Sequence, residues 1–205
     1  MTIVIVNYGM GNVASVQKAL KKLGYNSIIT NDHDIIKKAD LIILPGVGSF
    51  KKGMENLKNS NLIQLLNEEV IEKRKPFLGI CLGMQLLATF GNEPERVEGL
   101  GWIDGEVVKI KTIKKLRVPH LGWNSLKIKE DKTGFYSDFN NQDCYFIHSY
   151  HFKVSNPKEI TYTVAYENEM VAAVQKNNIY AMQFHPEKSQ EVGMNLLKKI
   201  LEQYA

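Results

Sequence analysis

The sequence predicts an α/β fold: a mostly parallel, doubly wound sheet that carries a cysteine nucleophile elbow and has an antiparallel edge added to it. Three observations predict it. From residue 1 to residue 90, short β-branched runs alternate with apolar-periodic segments, the pattern of right-handed crossovers between parallel strands. From Gly101 to Phe184 the alternation gives way to closely spaced strand-like runs, which suit antiparallel hairpins at one edge. Between the two, "KPFLGICLGMQLL" places Cys81 where an apolar run turns straight into a helix-periodic one, with Gly79 and Gly83 two residues to either side.

The elements follow in order. "TIVIVN" (Thr2 to Asn7) is a β-branched run ending at Tyr8-Gly9, as for a strand buried on both faces. In "GNVASVQKALKKLG", Val13, Val16, Leu20 and Leu23 recur at helical spacing, with Asn12 placed to cap the start and Gly24 to close the end. "NSIIT" is the second strand, and "ADLIILPGVGSF" a third that runs into a Pro-Gly-x-Gly turn. "NLIQLLNEEVIEKR" is one helix, apolar on Leu62, Ile63, Leu65, Leu66, Val70 and Ile71. "PFLGI" is the fourth strand and "LGMQLLATF" the helix after it. The later strand-like runs are "GEVVKI", "NSLKIK", "CYFIHSY", "TYTVAYE", "MVAAVQK" and "IYAMQF", with a turn at Lys176-Asn177-Asn178. The last helix, "EVGMNLLKKILEQY", packs through Val192, Leu196, Leu197, Ile200 and Leu201. Repeats, low-complexity stretches and linkers are absent from the sequence, so residues 1–205 are expected to form one domain.

Composition narrows the class. The chain is 44% hydrophobic and 23% charged, ordinary for a soluble globular protein. Its net charge of +4 comes from 26 basic and 22 acidic residues spread along the chain. The densest basic stretch, Lys109 to Arg117, also suits an exposed hairpin, so nucleic acid is not an expected partner. Two cysteines, Cys81 and Cys144, make no disulfide framework. The start has no basic n-region, and no apolar run approaches the ~20 residues that span a bilayer. The expectation is a reduced, cytoplasmic enzyme or binding protein without metal, cofactor or membrane partner.

Chemistry concentrates at three places. At a strand-to-helix junction without a loop, the residue makes a sharp, strained turn, and small neighbours are needed. That is the elbow design, here with Cys81. It lifts the side chain clear of the sheet at the carboxyl ends of the strands, where doubly wound folds bind ligands. A helix start also favours thiolate and offers N–H groups to an oxyanion. Cys144, in the alternating "DCYFIHS", reads as a buried structural cysteine.

A nucleophile needs a base with an orienting partner. Among five histidines, His185 has the sharpest setting: a strand ends there, Pro186 stops the ladder, and Glu187 can hold the imidazole. On the same rim, "LPGVGSF" brings Gly46 and Gly48 to a strand end, where close backbone approach to a ligand is possible. Its spacing is not that of a phosphate loop; an oxyanion or amino-acid cradle fits better.

"PGVGSF", "KPFLGICLGMQLL", "VPHLGWN", "FIHSYHF" and "QFHPEKSQ" occur in the order found in class I glutamine amidotransferases, and the chain resembles that family over its whole length. "YGMGN" and "VPHLGWN" narrow the resemblance to the glutaminase subunits of the histidine pathway. It implies a triad of Cys81, His185 and Glu187 that hydrolyses glutamine through a thioester. It also implies an oxyanion hole from Gly46, Val47, Gly48 and Leu82, with Gln85, His148, Ser149 and Tyr150 holding the substrate. Gln85 lies one helical turn beyond Cys81, on the same face. Similar proteins form a heterodimer with a cyclase subunit of (β/α)₈ fold and pass ammonia through it. Trp123 and Asn124, which follow Gly122 in what reads as a turn, and Lys188, next to Glu187, would face that partner.

The loop "TFGNEPERVEGLGW" lacks the "SEEG" run common in the histidine-pathway subunits, and "GLGWIDGEV" and "GMNLLKK" are also similar to a paralogous group that supplies ammonia for amidino-sugar synthesis on surface glycans. A non-catalytic amino-acid sensor would have no use for both Cys81 and His185. A cysteine peptidase-like hydrolase would lack the combined "CLGMQ" and "HPEKSQ" and would work without a partner.

Overall fold

Alternation of apolar side chains builds the centre of the molecule. In the first strand, Val4 and Val6 enter one core while Ile3 and Ile5 enter another on the opposite face. All four are fully buried, as the continuous β-branched run requires. The structure, a computed structural model, describes residues 1–112, 116–129 and 136–204. Among them no helix is long and apolar enough to cross a membrane.

The first half runs β1 (Ile3–Val6), α1 (Val13–Lys22), β2 (Ser27–Thr30), α2 (His33–Lys37), β3 (Leu41–Gly46), α3 (Phe50–Asn59), α4 (Leu62–Leu66), β4 (Phe77–Cys81) and α5 (Leu82–Gln85). The second half runs β5 (Phe90–Asn92), β6 (Arg96–Glu98), β7 (Gly105–Lys109), β8 (His120–Ile128), β9 (Asp143–His148), β10 (Tyr150–Val154), β11 (Ile160–Ala165), β12 (Glu169–Lys176), β13 (Ile179–Met182) and α6 (Gln190–Glu202). Among the described residues, nine strands form the main sheet in the order β2-β1-β3-β4-β13-β12-β11-β8-β9. β2 to β13 are parallel, and the rest are antiparallel. α1 and α6 cover one face through Val16, Leu20, Leu197 and Leu201. α2 to α5 and a second sheet, β10-β7-β5-β6, cover the other through Ile36, Phe50, Leu57, Leu86 and Phe152.

Local chemistry sets the helix ends. Asn12 Oδ1 accepts from the Ser15 amide at 3.3 Å and caps α1, and Gly24 follows at φ +87°. Ser49 caps α3 by accepting from the Lys52 amide at 3.4 Å.

Five expectations are corrected. The helix expected over "NLIQLLNEEVIEKR" is α-helical only to Leu66 and continues as a π-turn, Asn67–Glu72. Glu69 is buried there, its carboxylate held by Lys73 at 2.8 Å and Lys75 at 2.7 Å. The helix after Cys81 stops at Gln85 rather than Phe90, because the carbonyls of Leu86, Leu87 and Ala88 are taken by the amides of Leu100, Trp102 and Gly101. The stretch "TFGNEPERVEGLGW" is not a loop throughout, since β5 and β6 pair within it.

Not all later strands join one edge. "CYFIHSY" breaks at Ser149, and the chain passes there from the main sheet to the second, where β10 pairs with β7. β13 pairs with β12 as a hairpin but also runs parallel to β4, so it lies inside the sheet. Trp123 and Asn124 lie in strand β8 rather than a turn, with Gly122 at φ +134° inside the strand. The hairpin expected over Lys109 to Arg117 falls partly on residues 113–115, outside the described residues.

Candidate active site

The elbow is built by backbone contacts that side chains would prevent. Cys81 ends β4 at φ +54°, ψ −109° and Leu82 begins α5 directly. For a residue other than glycine that conformation costs on the order of 1–3 kcal/mol, which the surroundings must impose. A β-carbon on Gly83 would lie 1.8 Å from the Leu44 carbonyl oxygen, and one on Gly79 would lie 2.9 Å from the Gly83 oxygen. Gly46, register partner of Cys81 across β3–β4, has no room either: a β-carbon there would lie 2.2 Å from the Tyr8 hydroxyl. That hydroxyl is buried without a hydrogen-bond partner among the described residues.

His185 arrives from the neighbouring strand. Beyond β13, its amide donates to the Tyr145 carbonyl at 3.0 Å, and Ser189 Oγ donates to its carbonyl at 2.6 Å. Nδ1 donates to Glu187 Oε1 at 2.8 Å, and the two side chains are 3% and 2% exposed. Burial opposes the imidazolium, yet Cys81 and Glu187 outweigh it and push His185 up to about 9. Nε2, the nitrogen left after Nδ1 binds Glu187, is the one available to interact with the Cys81 sulfur. The helix-start effect expected at Cys81 rests on a single turn, Leu82–Gln85; the charged partner of the sulfur is His185.

Cys81 opens on a cleft of about 450 Å³, lined by Val47, Gly48, Leu82, Gln85, His148, Ser149, Tyr150 and Lys188, with Ser49, Glu93, Pro119 and Ile147 at its walls. The volume suits a small ligand. Gln85 Nε2 donates to the Tyr150 carbonyl and to Gln183 Oε1, both at 2.9 Å. His148 Nδ1 lies 2.8 Å from the Tyr150 carbonyl; a carbonyl only accepts, so this nitrogen carries the proton and Nε2 accepts. His120 Nδ1, 3.0 Å from that Nε2, is therefore a donor. His120 Nε2 then accepts from Asn124 Nδ2 at 3.1 Å. Burial pushes His120 down to about 4 and His148 down to about 3, so both rings are neutral members of this chain.

The structure thus brings Cys81, His185 and Glu187 together, and gathers Val47, Gly48, Leu82, Gln85, His148, Ser149, Tyr150 and Lys188 around the sulfur. Gly46 sits beneath them. Trp123 stands outside the cleft, 46% exposed, its ring 5.8 Å from that of Tyr145. Asn124 turns inward to His120 and to the Ala165 carbonyl at 3.2 Å. Reading the sequence misses Gln183, His120 and Tyr8, all buried around the site. The only hint of the first was its position two residues before His185. Leu121, Trp123, Ile147 and Val47 are exposed, and pairing of Leu121 with Ile147 and of Trp123 with Tyr145 gathers the first three on the β8–β9 ladder beside the cleft.

Sequence comparison matches residues 4–203 to the family described as glutamine amidotransferase class-I. The chain is 47% identical to imidazole glycerol phosphate synthase subunit HisH 2 of Methanococcus maripaludis, over 98% of this chain and 99% of that one. It is 45% identical to the subunit of the same name from Vibrio vulnificus, over 98% and 94%. Among solved structures, PurLQS from Thermotoga maritima superposes with a TM-score of 0.75, covering 100% of this chain and 99% of that one at 18% identity. That likeness concerns the fold alone.

Proposed function

The chain belongs to the class I glutamine amidotransferases, as a glutaminase subunit of HisH type, and from that premise we propose that Cys81, His185 and Glu187 are its catalytic triad. The observation that carries the assignment is the strained elbow of Cys81 beside the closed His185–Glu187 pair. Cys81 sulfur attacks the carboxamide carbon of glutamine, and the electrons of the C=O bond move to oxygen. The oxyanion is received by N–H groups of Leu82 and of the Gly46–Val47–Gly48 turn. His185 gives its proton to the leaving nitrogen, the C–N bond breaks, and a γ-glutamyl thioester and ammonia result. His185 then takes a proton from water, which attacks the thioester and releases glutamate. Glu187 holds the imidazole and supports its cation. Gln85, His148, Ser149 and Tyr150 hold the substrate, and no cofactor is called for.

The enzyme serves histidine biosynthesis, the pathway its sequence motifs imply, and its relatives are named imidazole glycerol phosphate synthase subunits. Its ammonia passes to a cyclase subunit of (β/α)₈ fold in a heterodimer. The exposed apolar side chains of Leu121, Trp123 and Ile147 on the β8–β9 ladder beside the cleft, with Val47 at its wall, support such a docked partner, and Lys188 lines the cleft, where it can meet a carboxylate from it. Asn124 would act on that face indirectly, through His120. The whole chain, residues 1–205, acts as one glutaminase domain. The missing "SEEG" run in "TFGNEPERVEGLGW", with "GLGWIDGEV" and "GMNLLKK", favours a second reading in which the same triad feeds amidino-sugar synthesis. The test is glutamate release by the chain mixed with candidate acceptor subunits. Cys81→Ala should abolish it, Cys144→Ala should not, and the Cys81→Ala complex should still make product from added ammonia. Normal hydrolysis by Cys81→Ala would overturn the triad, and stimulation only by a sugar-modifying subunit would select the second reading.

A further inference from the structure

Gln183 has no part in the mechanism above, yet it touches the nucleophile. It lies between β13 and His185 and is completely buried. A buried carboxamide is costly unless both its ends are bonded. Here its Oε1 accepts from Gln85 Nε2 at 2.9 Å and its Nε2 donates to Cys81 Sγ at 3.7 Å.

The orientation of this pair of amides is fixed by a carbonyl at its far end. The Tyr150 carbonyl only accepts, so the Gln85 atom 2.9 Å from it is the NH₂ group. That same NH₂ meets Gln183, whose facing atom must be the oxygen. The NH₂ of Gln183 is then left for the sulfur. Two groups therefore flank Cys81 Sγ with opposite demands: the Ile147 carbonyl, at 4.0 Å, can accept from a thiol, whereas Gln183 can only donate. Loss of the thiol proton ends the first interaction and strengthens the second, because a hydrogen bond to an ionised acceptor is about twice as strong as a neutral one.

We propose that Gln183 is a further catalytic residue, whose carboxamide N–H binds the ionised sulfur of Cys81 and holds it over the cleft, with Gln85 as the positioning residue behind it. The proposal rests on Cys81 being the nucleophile. Gln183 acts twice in each turnover. Before attack, its N–H holds the thiolate. During attack the S–C bond forms and the sulfur loses its charge. When water attacks the thioester, the C–S bond breaks, its electron pair returns to sulfur, and the N–H receives the charge again. The oxyanion donors and His185 handle charge on the substrate; Gln183 handles charge on the enzyme.

Gln183→Met keeps the length of the side chain and removes the N–H. The measurement is the rate of Cys81 alkylation by iodoacetamide against pH, on the full chain, with the label located by peptide mass spectrometry. The titration midpoint should move up by about one pH unit. At pH values below both midpoints the rate should fall roughly tenfold, the order expected for a hydrogen bond to a charged group. In the complex, the turnover number should fall by a similar factor with the Michaelis constant within about twofold, since the loss is one of sulfur ionisation and not of substrate binding. A measurement on the unmodified protein stands beside it: the carboxamide ¹⁵N resonance of Gln183 should titrate with the same midpoint as alkylation. An unchanged alkylation profile in folded Gln183→Met, or a carboxamide resonance indifferent to that titration, overturns the role of Gln183 while Cys81 remains the nucleophile. A wild-type complex that releases no glutamate overturns the glutaminase reading, and this proposal with it.

Discussion

Gly83 meets the Leu44 carbonyl so closely that a β-carbon would stand 1.8 Å from its oxygen. The obstacle is backbone of a fully buried strand, so no side chain can swing aside. Gly83→Ala should therefore push α5 away from β3 and relax the Cys81 elbow. Stability should fall by about 3 kcal/mol or more, beyond the usual cost of overpacking, and glutaminase activity should be lost. Urea denaturation and glutamate release check it; an alanine variant with the wild-type midpoint and rate would show that the elbow tolerates a wider helix approach.

Glu187→Gln removes the charge that supports the imidazolium. Burial then acts on His185 with less opposition, and its pKa falls from about 9. Turnover should drop on the order of 10²-fold or more, with the Michaelis constant little changed, and the alkaline limb of the pH–rate profile should move to lower pH. A variant that only binds glutamine more weakly would reassign Glu187 to the substrate.

The partner should control the site. The chain alone should release glutamate 10²- to 10³-fold more slowly than the saturated complex, roughly the worth of one oxyanion donor. Trp123→Ala should weaken assembly and reduce that stimulation while leaving the slow basal rate unchanged. Equal rates with and without partner would end the gating idea.

Stability set by His120, His148 and His185 should be greatest at about pH 6.5 and fall on either side. His120 and His148 are neutral in the fold, at about 4 and about 3, against about 6.5 in the unfolded chain. As pH falls below about 6.5 the unfolded state takes up protons first, so each ring costs up to about 1.4 kcal/mol per pH unit until its folded value is reached. His185, raised to about 9, works in the other direction: its contribution is complete below about 6.5 and is lost as pH rises through about 9. His120→Gln should remove one ring's share of the acid slope. Urea midpoints taken from pH 5 to 8 give the slope, and an unaltered slope in the variant would contradict the assignment.

What was legible in the sequence was whatever left a local mark. Cys81 was legible because strand and helix periodicities meet at it between two glycines, and His185 because a proline follows it at a strand end. α3 was not, because its buried face, Phe50, Gly53, Met54 and Leu57, includes a glycine and follows a glycine-rich turn. The early stop of α5 depended on amides from residues 100–102, which no local pattern announces. Gln183 and His120 were hidden for a related reason. A polar residue in a strand reads as facing water, and only the partner side chains from Gln85, Cys81, His148 and Asn124 make their burial possible.

The place of β13 has a consequence for how the protein is made. A ribosome delivers β4, with Cys81 at its end, about a hundred residues before the strand that lies against it. Until Ile179–Met182 have emerged, Phe77 to Cys81 form an open edge of apolar backbone, ready to pair with another nascent chain. Closure of the sheet at β4 therefore waits for Ile179–Met182. A chain cut short before Ile179 lacks the strand that covers this edge and, with it, His185 of the proposed triad.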